Sequence, residues 1–438
     1  MVPVVGGYIS HSPRLIKTLD GNLCILKGNP IELLPIFAAK VGATGVYWNR
    51  CYEPWRIIRD KLVKSILNDR GIEVLSFNGS LLWEPWEILK NDGSPYRVFT
   101  PFYRKGCLNA KNPRLPVPKP VKLSLVDVKN YTKDYKSGVA TKISDLKLVP
   151  EVGWSEKLDP YWNIGEDGAY TRLSDFVGSG IIDYKEGRNF PARKSVSRLS
   201  THLHWGEISP NTVWYAIRKQ VGSENGCINS DHFLSELGWR EFSYSLLYHF
   251  PSLPRVNLQP KFNDFPWQDN PGLLICWQKG MTGYPIIDAG MRELWATGYM
   301  HNRLRMIVGS FLVKNLLIHW HYGEMWFWDT LVDADLANNS SGWQWVAGCG
   351  ADAAPYFRVF NPVTQSKRFD GEGLYIRTYV PELCRLPDKY LFAPWEAPST
   401  VLTKAGIALG EHYPKPICDL KVSRQAALDS FACIKQSQ

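Results

Sequence analysis

The stretch that decides the fold is DADLANNSSGWQWVAG, residues 333–348. It crowds two aspartates, two asparagines and two tryptophans around a single leucine. Buried polar groups cost free energy unless they are paired, so a core packed only for stability does not favour this mixture. A site for a polar, planar ligand does favour it, because such a ligand offers both hydrogen-bonding edges and an aromatic face.

Length and composition limit the class of protein. The chain has 438 residues, which is long for one core and predicts two domains. It has no apolar run long enough for a membrane span and no convincing signal peptide. Its nine cysteines are scattered without a CxxC pair, which is typical of free thiols in the cytoplasm and argues against a structural zinc site. The net charge of +9 fits a polyanionic partner, but an ordinary basic surface has the same charge.

The apolar pattern changes along the chain. Residues 22–28, 45–49 and 72–79 resemble strands, and 29–43 and 53–71 resemble helices, which predicts a Rossmann-like α/β unit with a parallel sheet. Residues 108–154 are rich in Pro and Lys, as in linkers, and the pattern after residue 165 is mostly helical, with one long helix over 300–320. We therefore predict an α/β domain over 1–110, a linker over 111–164 and an all-α domain over 165–438.

Three motifs carry chemistry. In 195–210, serines precede a helical run, which favours either an anion site at the helix start or ordinary N-capping. In SELGWREF, residues 235–242, the spacing of Glu236, Trp239 and Arg240 puts them on one helix face, either a solvated surface or a wall that stacks on a base. In MHNRLRM, residues 300–306, Arg305 leads into a buried-looking run and needs a carboxylate partner, Asp333 or Asp335.

Histidines and tryptophans call for separate interpretation. His319 and His321 lie two residues apart, so on a helix they would point to different faces, and we predict no metal site. The 18 tryptophans are many for this length, and they indicate either a core of large side chains or a stacking or redox role.

Long motifs in consistent order resemble the DNA photolyase/cryptochrome family. They are YWNRCYEPW, FNGSLLWEPW, WGEISP, SELGWREF, KGMTGYPIIDAGMRELWATGYMHNRLRM, DADLANNSSGWQW and GADAAPYFRVFNP. The resemblance covers about Trp48 to Leu402 and implies FAD bound in the helical domain, active as FADH⁻. The family's usual opening segment, WFRxDLRxxDN, is not found, so we expect the first strand of the sheet to be missing.

The resemblance implies roles for individual residues. The family positions that hold the FAD phosphates match Tyr184, Ser197, Leu199 and Ser200. The positions around the rest of the cofactor match Arg240, Asn302, Arg305, Asp333, Asp335 and Asn339. Asn339 matches the residue that faces flavin N5, and Arg305 with Asp333 matches a buried ion pair beside the flavin. The pocket for a flipped thymine dimer corresponds to Glu236, Trp239, Arg303 and Met306. Trp343, Trp320 and Trp267 match the family's chain of indoles, which passes electrons to the flavin. Trp345 is interpreted as a packing residue.

The partners follow from the same resemblance. Contacts to DNA are expected from Arg188, Arg358, Lys367 and Arg368, with Arg377 as a further basic candidate. Val196 stands where a Thr that contacts phosphate is common, and we expect FAD binding to survive the loss of that hydroxyl. The resemblance also implies an antenna chromophore, methenyltetrahydrofolate or a deazaflavin, although the missing opening segment argues against one. We expect a cytoplasmic monomer that acts on ultraviolet-damaged DNA.

The branch of the family is indicated by few positions. Met300, His301 and Asn302 match the pattern of enzymes for cyclobutane pyrimidine dimers, and Asn339 differs from the Asp of plant cryptochromes. The run over residues 233–251 resembles bacterial class I enzymes. The predicted function is therefore light-driven repair of cyclobutane pyrimidine dimers. Two alternatives stay open, namely a blue-light photoreceptor with the same fold and flavin, and a catalytically inactive protein that binds nucleic acid.

Overall fold

A computed structural model describes residues 23–126, 143–148, 153–219, 224–353 and 358–436. A small parallel sheet lies near the N-terminus, and helices form the rest of the body. The strands are β1 (Gly45–Asn49) and β2 (Glu73–Phe77). The α-helices are α1 (Pro30–Lys40), α2 (Pro54–Asn68), α3 (Phe99–Pro101), α4 (Glu166–Asp175), α5 (Tyr184–Gly187), α6 (Ser200–Trp205), α7 (Pro210–Lys219), α8 (Glu224–His249), α9 (Pro271–Gln278), α10 (Pro285–Thr297), α11 (Asn302–Ser310), α12 (Trp320–Thr330), α13 (Leu336–Ala347), α14 (Pro362–Phe369), α15 (Leu374–Tyr379), α16 (Asp388–Leu391), α17 (Ser399–Ala405) and α18 (Leu420–Gln436).

Shorter turns of other helix types connect these elements. The π-helical turns are Phe102–Gly106, Phe176–Gly180 and Phe311–Asn315. The 3₁₀ turns are Cys107–Asn109, Ile143–Leu146, Gly153–Tyr161, Pro260–Asp264, Pro381–Leu383 and Pro394–Glu396. No helix in the described ranges is both long and apolar enough to cross a membrane.

The α/β unit follows the sequence pattern closely. β1 pairs with β2 in parallel, from Gly45 opposite Glu73 to Asn49 opposite Phe77, and α2 makes the crossover between them. Helix α1 begins where Pro30 fixes the first turn and the Asn29 side chain accepts a hydrogen bond from the Ile31 amide. The predicted strand over 22–28 is wrong for residues 23–28, since only Leu26 makes a bridge there and no ladder of backbone bonds forms. The expected loss of the family's opening strand concerns residues outside the described ranges.

Two large apolar clusters build the helical body. One cluster gathers α9–α13 and the C-terminal helices around Trp277, Trp320 and Phe311. The other gathers α8 with residues 82–107, and it includes Trp83, Phe102 and Phe242. Because the second cluster joins both sides of the predicted boundary near residue 110, the C-terminal part of the predicted α/β domain shares its core with the helices. The domain limits themselves stay a prediction.

A buried carboxylate fastens the two parts together. Oε2 of Glu241 on α8 accepts hydrogen bonds from the amides of Leu82 and Trp83 at 2.9 and 3.1 Å. The neighbouring Arg240 donates to the Ser80 carbonyl at 2.6 Å. Burial raises the pKa of Glu241 to about 7, against the opposing effects of Arg240 and the two amides. The loop 80–83 is therefore held by groups of the same helix that lines the large cavity described below.

The long helix predicted over 300–320 is interrupted, and that part of the prediction is wrong. α11 ends at Ser310, a π-helical turn follows over Phe311–Asn315, and Leu317 has a φ of 54°. The Leu317 carbonyl accepts a hydrogen bond from the Gln268 amide at 2.8 Å. All side chains from 311 to 318 are buried, so tertiary packing outweighs the helical tendency of this apolar run. α12 then begins at Trp320, with His319 as its N-cap.

We expect Glu241→Ala to lower the free energy of unfolding by about 3 kcal/mol, because the Leu82 and Trp83 amides lose their buried acceptor. Urea unfolding followed by tryptophan fluorescence measures this loss. Glu241→Gln is the matched control, since its amide oxygen still accepts a hydrogen bond and the loss should be clearly smaller. Equal unfolding midpoints for Glu241→Ala and the wild-type chain would contradict the role given to this carboxylate.

Candidate functional site

A cavity of about 560 Å³ opens between α8, α11 and α13. Its size falls within the ~300–1,000 Å³ that is typical of small-molecule sites. Among the residues that line it are most of those assigned from the sequence to the cofactor or the lesion: Tyr184, Arg188, Ser197, Leu199, Ser200, Glu236, Trp239, Arg240, Asn302, Arg305, Met306, Asp333, Asp335, Asn339 and Trp343. Segments that are more than 150 residues apart in sequence thus meet at one site.

An ion pair between a partly exposed arginine and a buried aspartate lies in the wall of this cavity. Nη2 of Arg305 donates to both carboxylate oxygens of Asp333, at 2.8 and 3.0 Å. Nε of Arg305 donates to the Met300 carbonyl at 2.8 Å, and the Ser200 hydroxyl donates to Asp333 at 2.6 Å. The Asp333 side chain is only 3% exposed. The pair predicted for Arg305 therefore forms with Asp333, and it connects the starts of α6 and α11 with the segment before α13.

Asp335 begins helix α13. One carboxylate oxygen accepts from the Asn338 amide and side chain at 2.9 and 2.6 Å, and the other accepts from the Tyr244 hydroxyl. Burial disfavours the charge, but the hydrogen bond and attraction of His204, together with Arg240 and Tyr244, hold the pKa of Asp335 well below its usual value. Asp335 thus keeps a full negative charge at the cavity, where it can accept hydrogen bonds from a ligand.

Asn339 lies one turn further along α13. Its side-chain amide donates to the Glu324 carbonyl at 2.9 Å, which leaves the amide oxygen of Asn339 available on the cavity side. The Glu324 carboxyl accepts a hydrogen bond from the Ser340 hydroxyl at 2.5 Å. Burial raises the pKa of Glu324 to about 7, although this hydrogen bond opposes the shift. Sequence reasoning missed Glu324, because nothing in its local motif shows that it is buried behind Asn339.

Two of the residues predicted for the lesion, Glu236 and Trp239, line the cavity from α8. Glu236 forms an ion pair with Arg188, and both side chains are partly exposed. The Trp239 indole stacks on Phe99, with ring centroids 3.8 Å apart and planes 11° apart. Sequence reasoning missed Phe99, which precedes Trp239 by 140 residues and carries no local signal. Arg240 lines the cavity, but its Nη1 is bound by the Ser80 carbonyl.

A second cavity, of about 340 Å³, adjoins the first through Met306. Arg303 lines this one and not the first, and its guanidinium lies 4.4 Å from the Phe369 ring centroid. Arg358 and Arg368 line it as well, so with Met306 four of the predicted DNA-contacting or lesion residues are together here. Lys367 lies on α14 outside both linings, and Arg377 is bound by Asp388 at 2.5 Å.

The three tryptophans of the predicted indole chain differ in their exposure and in their relation to the cavity. Trp343 lines the cavity and is 3% exposed, Trp320 is fully buried, and Trp267 is partly exposed. The Trp320 indole donates to the Asn257 side chain at 2.8 Å. Trp277, which sequence reasoning missed, contacts Trp343 edge-on at 6.1 Å. Trp345 was predicted to pack only, but it also lines both cavities while donating to the Asp352 carbonyl at 3.2 Å.

The donors and acceptors of the large cavity fit FAD. Among the described residues, the buried Trp343 indole N–H and Ser341 hydroxyl have no protein partner, and both residues line the cavity. The Arg305–Asp333 pair, the charged Asp335 and the Asn339 amide oxygen offer contacts to the polar edges of a flavin and an adenosine. Apolar side chains such as Phe242, Leu246 and Val346 supply surface for its rings. In the ranges described, no group of three or more His, Cys, Asp or Glu is arranged to hold a metal ion.

Comparison with protein families and relatives identifies the family. The model for the FAD binding domain of DNA photolyase matches residues 233–433, and the DNA photolyase model matches residues 14–121. A deoxyribodipyrimidine photo-lyase of Agrobacterium fabrum is 46% identical over 96% of this chain and 86% of its own length. This chain belongs to the DNA photolyase/cryptochrome family.

Relatives in the family include both enzymes and cryptochromes. Cryptochrome-2 of Arabidopsis thaliana is 37% identical over 98% of this chain and 71% of its own length. A bacterial class III photolyase from Agrobacterium tumefaciens has a TM-score of 0.93 and 43% identity, and the match covers 99% of this chain and 88% of that one. The fold predicted from the sequence is therefore confirmed. The class I assignment stays a prediction.

Gly323 on α12 lets the Trp343 ring lie directly against the helix backbone, because a Cβ at this position would overlap the ring. We expect Gly323→Ala to destabilise the chain by about 2 kcal/mol through this overpacking and to alter the near-ultraviolet circular dichroism of the tryptophans. Gly272→Ala on α9, where a Cβ makes only an ordinary contact, is the control. A thermal midpoint for Gly323→Ala equal to that of Gly272→Ala would show that the close contact with Trp343 does not affect stability.

Glu324 makes stability depend on pH with a definite sign. Because its pKa is raised from 4.5 to about 7, its contribution to stability is complete below pH 4.5 and is lost as the pH rises through about 7. We expect wild-type stability to fall between pH 6 and pH 8, and we expect Glu324→Gln to remove part of that fall, since Gln still accepts from Ser340. Thermal midpoints at both pH values measure the effect, with the exposed Glu372→Gln as control. An unchanged pH dependence in Glu324→Gln would contradict the buried protonated state.

Proposed function

We propose that this chain repairs cyclobutane pyrimidine dimers in ultraviolet-damaged DNA by light-driven electron transfer, with FAD in the large cavity. The observation that carries the proposal is the composition of that cavity. Polar side chains that suit the cofactor line it around Asp333 and Asn339. The same cavity is lined by groups that suit a flipped pyrimidine dimer, namely the carboxylate of Glu236, the indole of Trp239 and the thioether of Met306. Several curated relatives are deoxyribodipyrimidine photo-lyases, which supports the same activity here.

The chain's own residues would first select the lesion. The basic guanidinium groups around the second cavity attract DNA phosphates, and the poorly stacked damaged pair leaves the duplex at reduced cost. Trp239, held flat against Phe99, offers a rigid face on which a pyrimidine ring stacks. Glu236, which also pairs with Arg188, accepts a hydrogen bond from the imide N–H of a thymine.

FADH⁻ supplies, when bound, the excited electron that opens the cyclobutane ring. The protein residues bind and orient the cofactor and exclude water. Among the residues that line the cavity, Arg305, Asp333 and Asn302 would hold its central part. Asn339 would accept a hydrogen bond from the flavin, and the segment 197–200 would hold the phosphates. Trp343, Trp320 and Trp267 are assigned to carry electrons inward to an oxidised cofactor. An antenna chromophore and the monomeric state stay predictions from the sequence.

The experiment that tests the proposal is repair of an irradiated oligothymidylate by the purified chain under blue light and in darkness. The flavin absorption spectrum is recorded on the same sample. We expect bound flavin and repair in light only. Bound flavin without repair would favour the photoreceptor alternative, and a chain without flavin would contradict the proposal and favour the inactive nucleic-acid-binding alternative.

Glu236→Gln should lower the repair yield per absorbed photon about tenfold, because a neutral amide forms a weaker hydrogen bond to the thymine imide than a carboxylate does. Its flavin content should equal that of the wild-type chain. Glu372→Gln, which is exposed and lies outside both cavities, is the control. Loss of flavin from Glu236→Gln would contradict its assignment to the lesion.

A further inference from the structure

Two imidazoles surround the middle tryptophan of the assigned indole chain. The His319 ring lies against Trp320, with centroids 5.5 Å apart and planes 28° apart, and meets Trp267 edge-on at 5.0 Å. The His321 ring also contacts Trp320, with ring centroids 3.9 Å apart. The sequence predicted that the two histidines point to different faces of a helix. They do not, because α12 begins at Trp320 and His319 is its cap, and the two rings lie 4.9 Å apart.

The hydrogen bond made by His319 favours its neutral form, and that of His321 places a proton on Nε2. Nδ1 of His319 accepts from the His321 amide at 3.2 Å, so the proton of a neutral ring is on Nε2. Nε2 of His321 lies 2.9 Å from the Pro254 carbonyl and donates to it.

The surroundings favour neutrality as well. Burial, with a smaller contribution from His321, lowers the pKa of His319 to about 4, and burial also lowers the pKa of His321 against the opposing Pro254 carbonyl. In the described part of the chain, the charged group that approaches the pair is Glu324, 3.9 Å from His321. Burial raises the pKa of that carboxyl to about 7, so its negative charge is reduced at neutral pH.

A neutral His319 ring matters because the positive charge of an oxidised indole passes from Trp320 to Trp267 beside it. When one electron moves inward from Trp320, that indole becomes positively charged, and one electron from Trp267 then neutralises Trp320 and leaves the positive charge on Trp267. A fixed cation 5 Å away repels both charged states strongly in a partly buried environment. Trp267 is partly exposed, so an external thiol can return the electron to it and complete the balance.

We propose that His319 and His321 are positioning residues for the indole chain, and that their uncharged imidazoles let positive charge pass from Trp320 to Trp267. This inference rests on the proposed function, because it presumes that the three indoles carry electrons to the cofactor. It adds two residues that form no part of either cavity lining. It also gives a reason for the close packing of imidazole against indole where residues 316–319 separate two helical segments.

The test compares a fixed cation with a neutral side chain at the same position. The rate of photoreduction of the bound flavin, in the presence of a thiol, is measured for His319→Lys and His319→Asn. We expect His319→Lys to be at least tenfold slower than the wild-type chain and His319→Asn to be within twofold of it. Light-driven repair by protein reduced chemically beforehand should be unchanged in both variants, because His319 contacts neither the cofactor cavity nor the lesion residues. Equal photoreduction by His319→Lys and His319→Asn would overturn the inference.

A second variant and a second readout keep the two proposals apart. Trp267→Phe should slow photoreduction at least tenfold. If it does not, the assigned indole chain itself fails, whereas a slow Trp267→Phe with a normal His319→Lys refutes only the role of the imidazoles. Should His319→Lys not fold, carbon-13 NMR of labelled histidines in the wild-type chain, assigned with His319→Asn and His321→Asn, decides the question. Titration of both rings below pH 6 supports the inference, and a midpoint of 7 or above for either ring overturns it.

Discussion

The ion pair between Arg305 and Asp333 is the interaction on which the rest of the site depends. It binds the start of α11, through the Met300 carbonyl, to the start of α6, through the Ser200 hydroxyl. Removing two charges from water costs several kcal/mol per ion, and the attraction between them only partly offsets this cost. Apolar residues of similar volume would stabilise the fold at least as well. The pair is therefore explained best by a ligand that needs fixed charges and directed donors in a water-poor cavity.

The same logic extends outward from the pair. Asp335 retains its charge because His204, Arg240 and Tyr244 all favour it, whereas Glu324, one layer further from the cavity, is buried with only a serine hydroxyl and takes up a proton near neutral pH. Further out, His319 and His321 are kept neutral by burial. Charge is thus concentrated at the cavity wall, whereas burial disfavours charge in the layer around the tryptophans.

The sequence predicts the local elements well where one periodicity dominates. Helices α1 and α2 and strands β1 and β2 were found this way, since each has a clear apolar repeat and a capping or turn signal at its ends. The break over residues 311–319 could not be found, because an apolar run buried on all sides has no preferred face and tertiary contacts such as that of Gln268 with Leu317 decide its conformation. It was the family resemblance that predicted which distant residues share one site. The spacing within each motif predicted shared helix faces, but it gave no sign that Phe99 would stack on Trp239 or that Glu324 would lie behind Asn339.

The most direct measurement of the central claim replaces the ion pair as a whole and titrates the apoprotein with FAD. Arg305→Met combined with Asp333→Leu removes both charges and leaves neither partner buried alone. If the pair exists for the cofactor, the thermal midpoint of the apoprotein should stay the same or rise, while the affinity for FAD falls at least a hundredfold. FAD binding as tight as in the wild-type chain would contradict the account, and so would a large loss of stability in the apoprotein, which would make the pair a structural element of the fold.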